Sequence, residues 1–281
     1  FHIYIYMKKK IVLYQSSPLK KDMFLNIHIS KAIIGFKKNI LKTYPFLESE
    51  HYLIDLPCIF FGIYNEEDYL KILNHKSYAL IIWGGSDSLP NRGMIQKIAK
   101  LDKKKYFNIS ISKDIFTSLN IYNIKSCLVP WHSLNKSLFY PVKKGKCIYI
   151  YLPNKYKNKY GYKIYEKLRK IIKYDFIVGD GNISYNNMHN IYSKCFIGLR
   201  LINRDGSATT VQELGLMGIK CVHNGGSLSA LPWRNINDIV KHIYNESKKI
   251  GTIDNNLSKN VDNYLNLDEN FFEVSKYLKK I

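Results

Sequence analysis

The chain has 281 residues, of which 46% are hydrophobic and 23% charged, a composition that excludes a disordered or low-complexity protein and allows one or two globular domains. No apolar run reaches the length of a membrane span, and the five cysteines form no CxxC pair, which argues against zinc or disulfides and favours a reducing, cytoplasmic compartment. The net charge of +21 indicates an anionic partner, although the lysines are scattered as a general Lys, Asn, Ile and Tyr bias would produce.

The first half of the chain alternates apolar runs of strand length with segments of helical spacing, a pattern typical of a parallel sheet covered by helices. The predicted strands are residues 10–15, 52–61, 78–83, 106–111 and 126–129, and the predicted helices are residues 23–43, 66–74, 95–101 and 112–119. Residues 134–145 then interrupt the alternation with several lysines, Pro141 and Gly145, which predicts a linker between two domains.

The alternation restarts after this linker and continues to the end of the chain. The predicted strands are residues 147–152, 175–178, 195–202 and 219–223, and the predicted helices are residues 162–172, 188–193, 208–217, 237–248 and 270–281. We therefore expect two Rossmann-like domains, residues 1–141 and 142–266, with residues 267–281 forming a terminal helix.

The most specific pattern lies within Gly198–Ser227. A buried strand leads into a loop with Asp205 and Gly206, and Ser207 is a suitable N-cap for a helix that starts at Ala208. Ligands of open α/β sheets bind at the carboxyl ends of the strands, and the free N–H groups of a helix start suit a phosphate. The pattern thus predicts a ligand site in this loop.

Asp205 and Glu213 are separated by seven intervening residues, one in the loop and one in the helix. Acceptors at these positions would suit the hydroxyl groups of a sugar or a ribose. The alternative is that Asp205 interacts only with the helix dipole and that Glu213 is a solvated helix residue.

Further segments share one order along the chain with this loop. They are Ile81-Ile-Trp-Gly-Gly-Ser-Asp87, Ile177-Val-Gly-Asp-Gly181, Asp205-Gly206, Glu213-Leu-Gly-Leu-Met-Gly218 and Asn224-Gly-Gly226. The ordered set resembles GT-B glycosyltransferases of the family-4, "group 1" type, over most of the chain from about Met7. The resemblance implies an α/β fold of two Rossmann-like domains that face across a cleft, with the donor bound mainly by the second domain, the acceptor mainly by the first, and a last helix that returns to the first.

The same resemblance implies a role for individual residues. Glu213 matches the glutamate that holds the ribose hydroxyls, and Asp205 stands at the family's first glutamate, beside the transferred sugar, with a side chain one methylene shorter. Gly206, Ser207 and Ala208 match the loop whose backbone approaches the sugar and phosphate, and Gly179 and Gly181 match the G-x-G turn beside the nucleotide. Lys155 and Lys159 are the candidates for the family's basic pair that binds the diphosphate, with Arg200 and Arg204 as alternatives.

In the first domain, Gly84 stands where the family often has a histidine. Asp87 is therefore the candidate for a catalytic role there, as an acceptor-side base or a positioning residue, and a turn at the strand end is the alternative. His223 ends a strand near the site, where we expect a packed histidine rather than a ligand contact.

The resemblance implies a glycosyltransferase that moves a sugar from a UDP- or GDP-linked donor to the hydroxyl group of a glycan, lipid or protein-linked sugar. It further implies retention at the anomeric carbon, no metal and no other cofactor. The charge leaves peripheral contact with an anionic surface, such as a membrane face, open. Nucleic acid is the less favoured partner; the alternatives are a nucleic-acid-binding or DNA-modifying GT-B protein, an epimerase on the same fold, and an inactive GT-B partner subunit.

Overall fold

The structure is a computed structural model that describes residues 27–31, 52–89, 94–101, 105–130, 134–203, 205–206 and 208–265. The chain divides into two compact units, and their described parts are residues 27–129 without 112–114, and residues 112–114 with 130–265. The strand predicted at 10–15 and the terminal helix predicted at 270–281 lie outside the described residues, as do Arg204 and Ser207.

The first unit contains a sheet of five parallel strands that follow one another in chain order across the sheet. The strands are β1 (Ile27–Ile29), β2 (Cys58–Phe61), β3 (Ala79–Trp83), β4 (Tyr106–Ser110) and β5 (Cys127–Leu128), and the helices are α1 (Glu66–Asn74), α2 (Met94–Ile98) and α3 (Lys113–Ile121). Burial of consecutive residues in β2 and in most of β3 explains why both read as continuous apolar runs.

Strand β1 shows that one sequence prediction is wrong. Residues 27–29 lie in the segment 23–43, which was predicted as a helix, but they pair in parallel with β2. His28 Nε2 lies 2.9 Å from Asp68 Oδ1 on α1, and the Ser30 hydroxyl donates to Asp68 Oδ2 at 2.6 Å. Pairing with a neighbouring strand and these buried polar contacts outweigh the apolar spacing that suggested a helix.

The second unit contains five parallel strands in the order β10-β9-β8-β6-β7. The strands are β6 (Cys147–Tyr151), β7 (Phe176–Gly179), β8 (Cys195–Leu199), β9 (Lys220–Val222) and β10 (Ala230–Leu231), and the helices are α4 (Tyr162–Ile171), α5 (Met188–Tyr192), α6 (Thr209–Leu216), α7 (Ile236–Ser247) and α8 (Asn255–Tyr264). The order reverses between β6 and β8, because β6 lies between β7 and β8. Doubly wound sheets bind ligands outside the carboxyl ends of the strands at such a switch point.

Side chains of β6 alternate between two hydrophobic clusters, as the period of a strand requires. Ile148 and Ile150 pack with residues of α4 and α7, whereas Tyr149 packs with residues of α5, α6 and α8. The sheet therefore has helices on both faces, and the general Rossmann-like α/β architecture predicted for this half is confirmed.

The segment predicted as a linker, residues 134–145, packs within the second unit. Phe139 is 4% exposed in the cluster that contains Tyr192. Lys144 is buried, and its ammonium group donates to Glu246 Oε2 at 3.1 Å. The division between the units falls after Val129, earlier than the predicted boundary at 141/142. Within the described ranges, no helix is long and apolar enough to cross a bilayer.

Candidate functional site

Arg200 occupies the switch point of the second sheet. It is the first residue after β8, and its guanidinium carbon lies 4.7 Å from the ring centroid of Tyr151 and 5.1 Å from that of Tyr160. Tyr151 ends β6, and Tyr160 belongs to the loop between β6 and α4, so Arg200 connects the loops that follow β6 and β8. Cation–π contacts on two rings hold the guanidinium group in one orientation.

Asp205 completes the fixation of Arg200. Nε and Nη2 of Arg200 both lie 2.6 Å from Asp205 Oδ2, and Nη1 lies 3.4 Å from the Thr210 hydroxyl. Oδ1 of Asp205 accepts from the Gly206 amide at 3.1 Å. Burial is the largest influence on the pKa of Arg200 and lowers it, but the charge of Asp205, its hydrogen bond and the two tyrosines together outweigh burial, and the net pKa is raised. Asp205 therefore orients Arg200, and its predicted position beside the transferred sugar stays a prediction.

Helix α6 starts at Thr209, one residue later than predicted, and its N-cap position is Ala208. Ala208 has no side-chain oxygen that could accept from the first-turn N–H groups. By contrast, the side chains of Asn65, Asn235 and Asp254 cap the helices α1, α7 and α8. The start of α6 therefore offers amide donors that its own N-cap side chain does not satisfy, next to Arg200, whose Nη1 contacts Thr210 in the first turn.

Glu213 is buried on α6, 4% exposed, so the alternative of a solvated helix residue is wrong. The Tyr192 hydroxyl donates to Glu213 Oε2 at 2.7 Å, and Tyr192 packs edge-to-face on Tyr149 with ring centroids 4.9 Å apart. Burial raises the pKa of Glu213 to about 7, against the opposing effects of the Tyr192 hydrogen bond and the Arg200 charge. Oε1 accepts no hydrogen bond from a described residue, so it is available to a ligand hydroxyl.

Gly179 and Gly181 have local structural roles at the end of β7. A Cβ atom on Gly179 would lie 2.0 Å from the Tyr149 hydroxyl, so glycine leaves the space that this tyrosine needs beside Tyr192. Gly181 has φ +93°, a left-handed conformation that glycine adopts without strain. Gly179 thus shapes the surroundings of Glu213 through Tyr149 and Tyr192, whereas Gly181 forms the turn after β7.

Lys155 and Lys159 are exposed on the loop between β6 and α4, and their ammonium groups lie over the rings of Tyr156 at 5.5 Å and Tyr160 at 5.9 Å. Lys159 also lines a pocket of about 650 Å³ between this loop and the residues after β8, together with Ile202, Asn203 and Trp233. Lys159 is therefore the member of the predicted basic pair that lies closest to the Arg200 arrangement, through Tyr160.

His223 is packed against the Arg200 backbone, in agreement with the expected packed histidine. It follows β9, is 1% exposed, and places Nδ1 3.4 Å from the Arg200 carbonyl oxygen. Its Nε2 is buried without a hydrogen-bond partner among the described residues, beside Gly225, whose Cβ position would lie 2.4 Å away. An unsatisfied buried nitrogen at this edge is unusual for a purely packed histidine. The sequence signal was its position at the carboxyl end of a strand.

Asp87 follows β3 in the first unit, and its contacts favour the alternative of a turn at the strand end over the predicted catalytic role. The carboxylate is fully buried and accepts four backbone N–H groups, from Gly85 at 2.8 Å, Gly84 and Ser88 at 3.1 Å, and Ile63 at 3.3 Å. Burial raises its pKa to about 6, although these four hydrogen bonds act in the opposite direction. Asp87 stabilises the turn after β3, the alternative that the sequence left open.

We expect the Asp87→Asn substitution to cost about 1–3 kcal/mol of unfolding free energy, because an amide NH₂ would replace one acceptor opposite backbone donors. Urea denaturation at pH 7.5 measures this cost. Ligand binding by the second unit should be unchanged at a temperature where the variant is folded. If the Asp87→Asn variant were as stable as the unmodified chain but had lost enzymatic turnover, Asp87 would have a catalytic role.

Among the described residues, no group of three or more His, Cys, Asp or Glu side chains is arranged to hold a metal ion. The site that the structure brings together thus consists of Arg200 with Asp205, the start of α6, Glu213 with Tyr192, and His223. No protein-family model matches the chain, and a search of curated proteins finds no match for it.

Proposed function

We propose that the second unit binds the diphosphate and the ribose of a nucleoside-diphosphate sugar, and that the protein is a GT-B glycosyltransferase. One observation supports this most: the strand order places Arg200, the start of α6 and Glu213 together at the switch point between β6 and β8. A guanidinium group beside uncapped helix amides favours a phosphate, and a buried acceptor one turn further along favours a sugar hydroxyl.

In this proposal, Arg200 and the first-turn amides of α6 bind the diphosphate. Arg200 is suited to this because two tyrosine rings and Asp205 fix its orientation before a ligand arrives, which reduces the entropy lost on binding. Lys159 on the loop between β6 and α4 adds charge at the rim. In the neutral His223 ring, Nδ1–H faces the Arg200 carbonyl oxygen, so Nε2, which has no partner among the described residues, can accept from a ligand hydroxyl but not donate to a phosphate.

Glu213 binds the ribose. It is four residues after Thr209, which places it about 6 Å further along the helix axis, a distance comparable to that from a diphosphate to its ribose hydroxyls. Tyr192 occupies Oε2, so Oε1 is the atom that accepts from the ribose.

The reaction breaks the bond between the anomeric carbon and the diphosphate oxygen and forms a bond from that carbon to the acceptor oxygen, while the acceptor proton passes to the leaving diphosphate. Arg200 and the helix dipole stabilise the charge that develops on this leaving group. The first unit would bind the acceptor, and the configuration would be retained, as the family resemblance implies.

Thermal shift with a panel of UDP-, GDP- and ADP-sugars tests the proposal. A donor at about 100 times its Kd should stabilise the protein by about 2.7 kcal/mol, which raises the Tm by roughly 5–10 °C in a unit of this size. The matching nucleoside monophosphate should give a much smaller shift, since it lacks the second phosphate. Absence of a shift with every donor would contradict the proposed site.

A further inference from the structure

The segment from Lys155 to Lys173 concentrates positive charge beyond the general bias of the chain. It contains a single acidic residue, Glu166. Its basic residues are Lys155, Lys157, Lys159, Lys163, Lys167, Arg169, Lys170 and Lys173. The fraction of basic residues in this segment is nearly three times the fraction in the whole chain, where 43 of 281 residues are basic. Compositional bias alone would spread them evenly.

Helix α4 displays part of this charge as a stripe. Tyr165 and Leu168 pack into the core, whereas Lys163, Lys167 and Lys170 are exposed at the spacing i, i+4 and i+7, which aligns them on one side of the helix. None of these three lysines forms a salt bridge with a described residue. The stripe is therefore a cationic surface, with Glu166 as an acidic neighbour on the same side of the helix.

Two large exposed side chains precede and end the helix that carries the stripe. Tyr156, in the turn before α4, is 53% exposed, and Ile171, the last residue of α4, is 52% exposed. We call the three lysines with Tyr156 and Ile171 the basic face. In the headgroup region of a bilayer, lysines contact the lipid phosphates while aromatic and aliphatic side chains enter the apolar boundary.

We propose that the basic face docks on an anionic lipid bilayer. Each lysine near such a surface contributes about a fivefold increase in binding, and Tyr156 and Ile171 would enter the interface. A nucleic acid would also attract the lysines, but a phosphate backbone provides no apolar environment for Ile171. Docking of this face is independent of whether the switch-point site binds a nucleotide sugar.

Co-sedimentation of the full chain with vesicles of phosphatidylcholine, with and without 30 mol% phosphatidylglycerol, tests the proposal. The chain should bind the anionic vesicles, and binding should weaken as salt is raised. The triple variant Lys163→Gln, Lys167→Gln, Lys170→Gln should bind about 100-fold more weakly. The matched control is Lys125→Gln, Lys248→Gln, Lys259→Gln, which removes the same charge from exposed lysines elsewhere and should lose less than about threefold.

A second variant separates a bilayer from a polyanion. Tyr156→Ser with Ile171→Ser keeps all the charge and should weaken vesicle binding about tenfold, because two interfacial apolar side chains are lost. The same variant should bind a 20-base-pair DNA duplex as the unmodified chain does. Equal losses of vesicle binding in the two triple variants would overturn the proposal. It would also be overturned if the chain bound the DNA duplex through the stripe but did not bind vesicles. Circular dichroism establishes that each variant is folded.

Discussion

Replacing Arg200 with alanine is expected to weaken binding of a nucleoside diphosphate by roughly 100- to 1,000-fold. The variant loses a preorganised guanidinium fork, and charge-assisted hydrogen bonds from such a group to phosphate are among the strongest in proteins. It also leaves Asp205 without its partner, so that a carboxylate repels the incoming phosphates. Isothermal titration calorimetry with the nucleotide that gives the largest thermal shift measures this loss.

Two matched variants test whether Arg200 acts on the ligand itself. Arg200→Lys keeps the charge but loses the fork and the fit on Tyr151 and Tyr160, so we expect an intermediate loss. Asp205→Asn should weaken the nucleoside diphosphate and its sugar conjugate by the same factor, about tenfold, if Asp205 only orients Arg200. A loss confined to the sugar conjugate would instead place Asp205 against the transferred sugar. Full binding by Arg200→Ala would remove Arg200 from the site.

Replacing Glu213 with glutamine should have two opposite effects. Donor binding should fall by about 10- to 100-fold, because a neutral amide is a weaker acceptor for the ribose hydroxyls. The ligand-free protein should become more stable at pH 8, by on the order of 2 kcal/mol. Glutamine still accepts the hydrogen bond from Tyr192 but carries no buried charge.

The sign of the stability change follows from the raised pKa of Glu213. A carboxyl group with a pKa of about 7 in the folded chain, against an ordinary value of 4.5, holds a proton that the unfolded chain has released between these values. Stability therefore falls as pH rises from about 4.5 to 7, and the glutamine variant should lack this part of the profile. Unfolding by urea at pH 5 and pH 8 measures the difference; equal profiles for both proteins would contradict the buried position of Glu213.

Donor binding has the corresponding pH dependence. The ionised form of Glu213 is the better acceptor, so donor affinity should increase as pH rises through about 7. Tyr192→Phe removes the hydrogen bond that lowers the pKa of Glu213, and the midpoint should move to higher pH. A midpoint that stays in place would mean that another group controls binding.

The sequence predicted those elements whose local signals agree with their tertiary contacts. Helix α1 was predicted with its exact bounds, 66–74, because Asn65 caps it and its first turn is acidic. Strand β1 was misread since its three residues obtain their conformation from β2. Helix α8 and strand β10 were missed: α8 is rich in asparagine, and β10 has only two residues.

The candidate site shows the same division. The sequence named Asp205 and Glu213 as candidates from their loop and helix positions and the family resemblance, and it named Arg200 only as an alternative, inside the strand predicted at 195–202. The contacts among these residues could not be predicted from the sequence, since only the folded chain shows that Arg200 pairs with Asp205 and that Tyr192 donates to Glu213. Asp87 was overvalued because a strand-end aspartate that binds four backbone amides has the same sequence context as one that binds a ligand.

A crystal structure with the nucleoside diphosphate selected by thermal shift is the most direct measurement. We expect the second phosphate within hydrogen-bond distance of Arg200 or of the first-turn amides of α6, and a ribose hydroxyl on Glu213 Oε1. A nucleotide bound away from the carboxyl ends of β6 and β8, with Arg200 and Glu213 untouched, would contradict the proposed donor site.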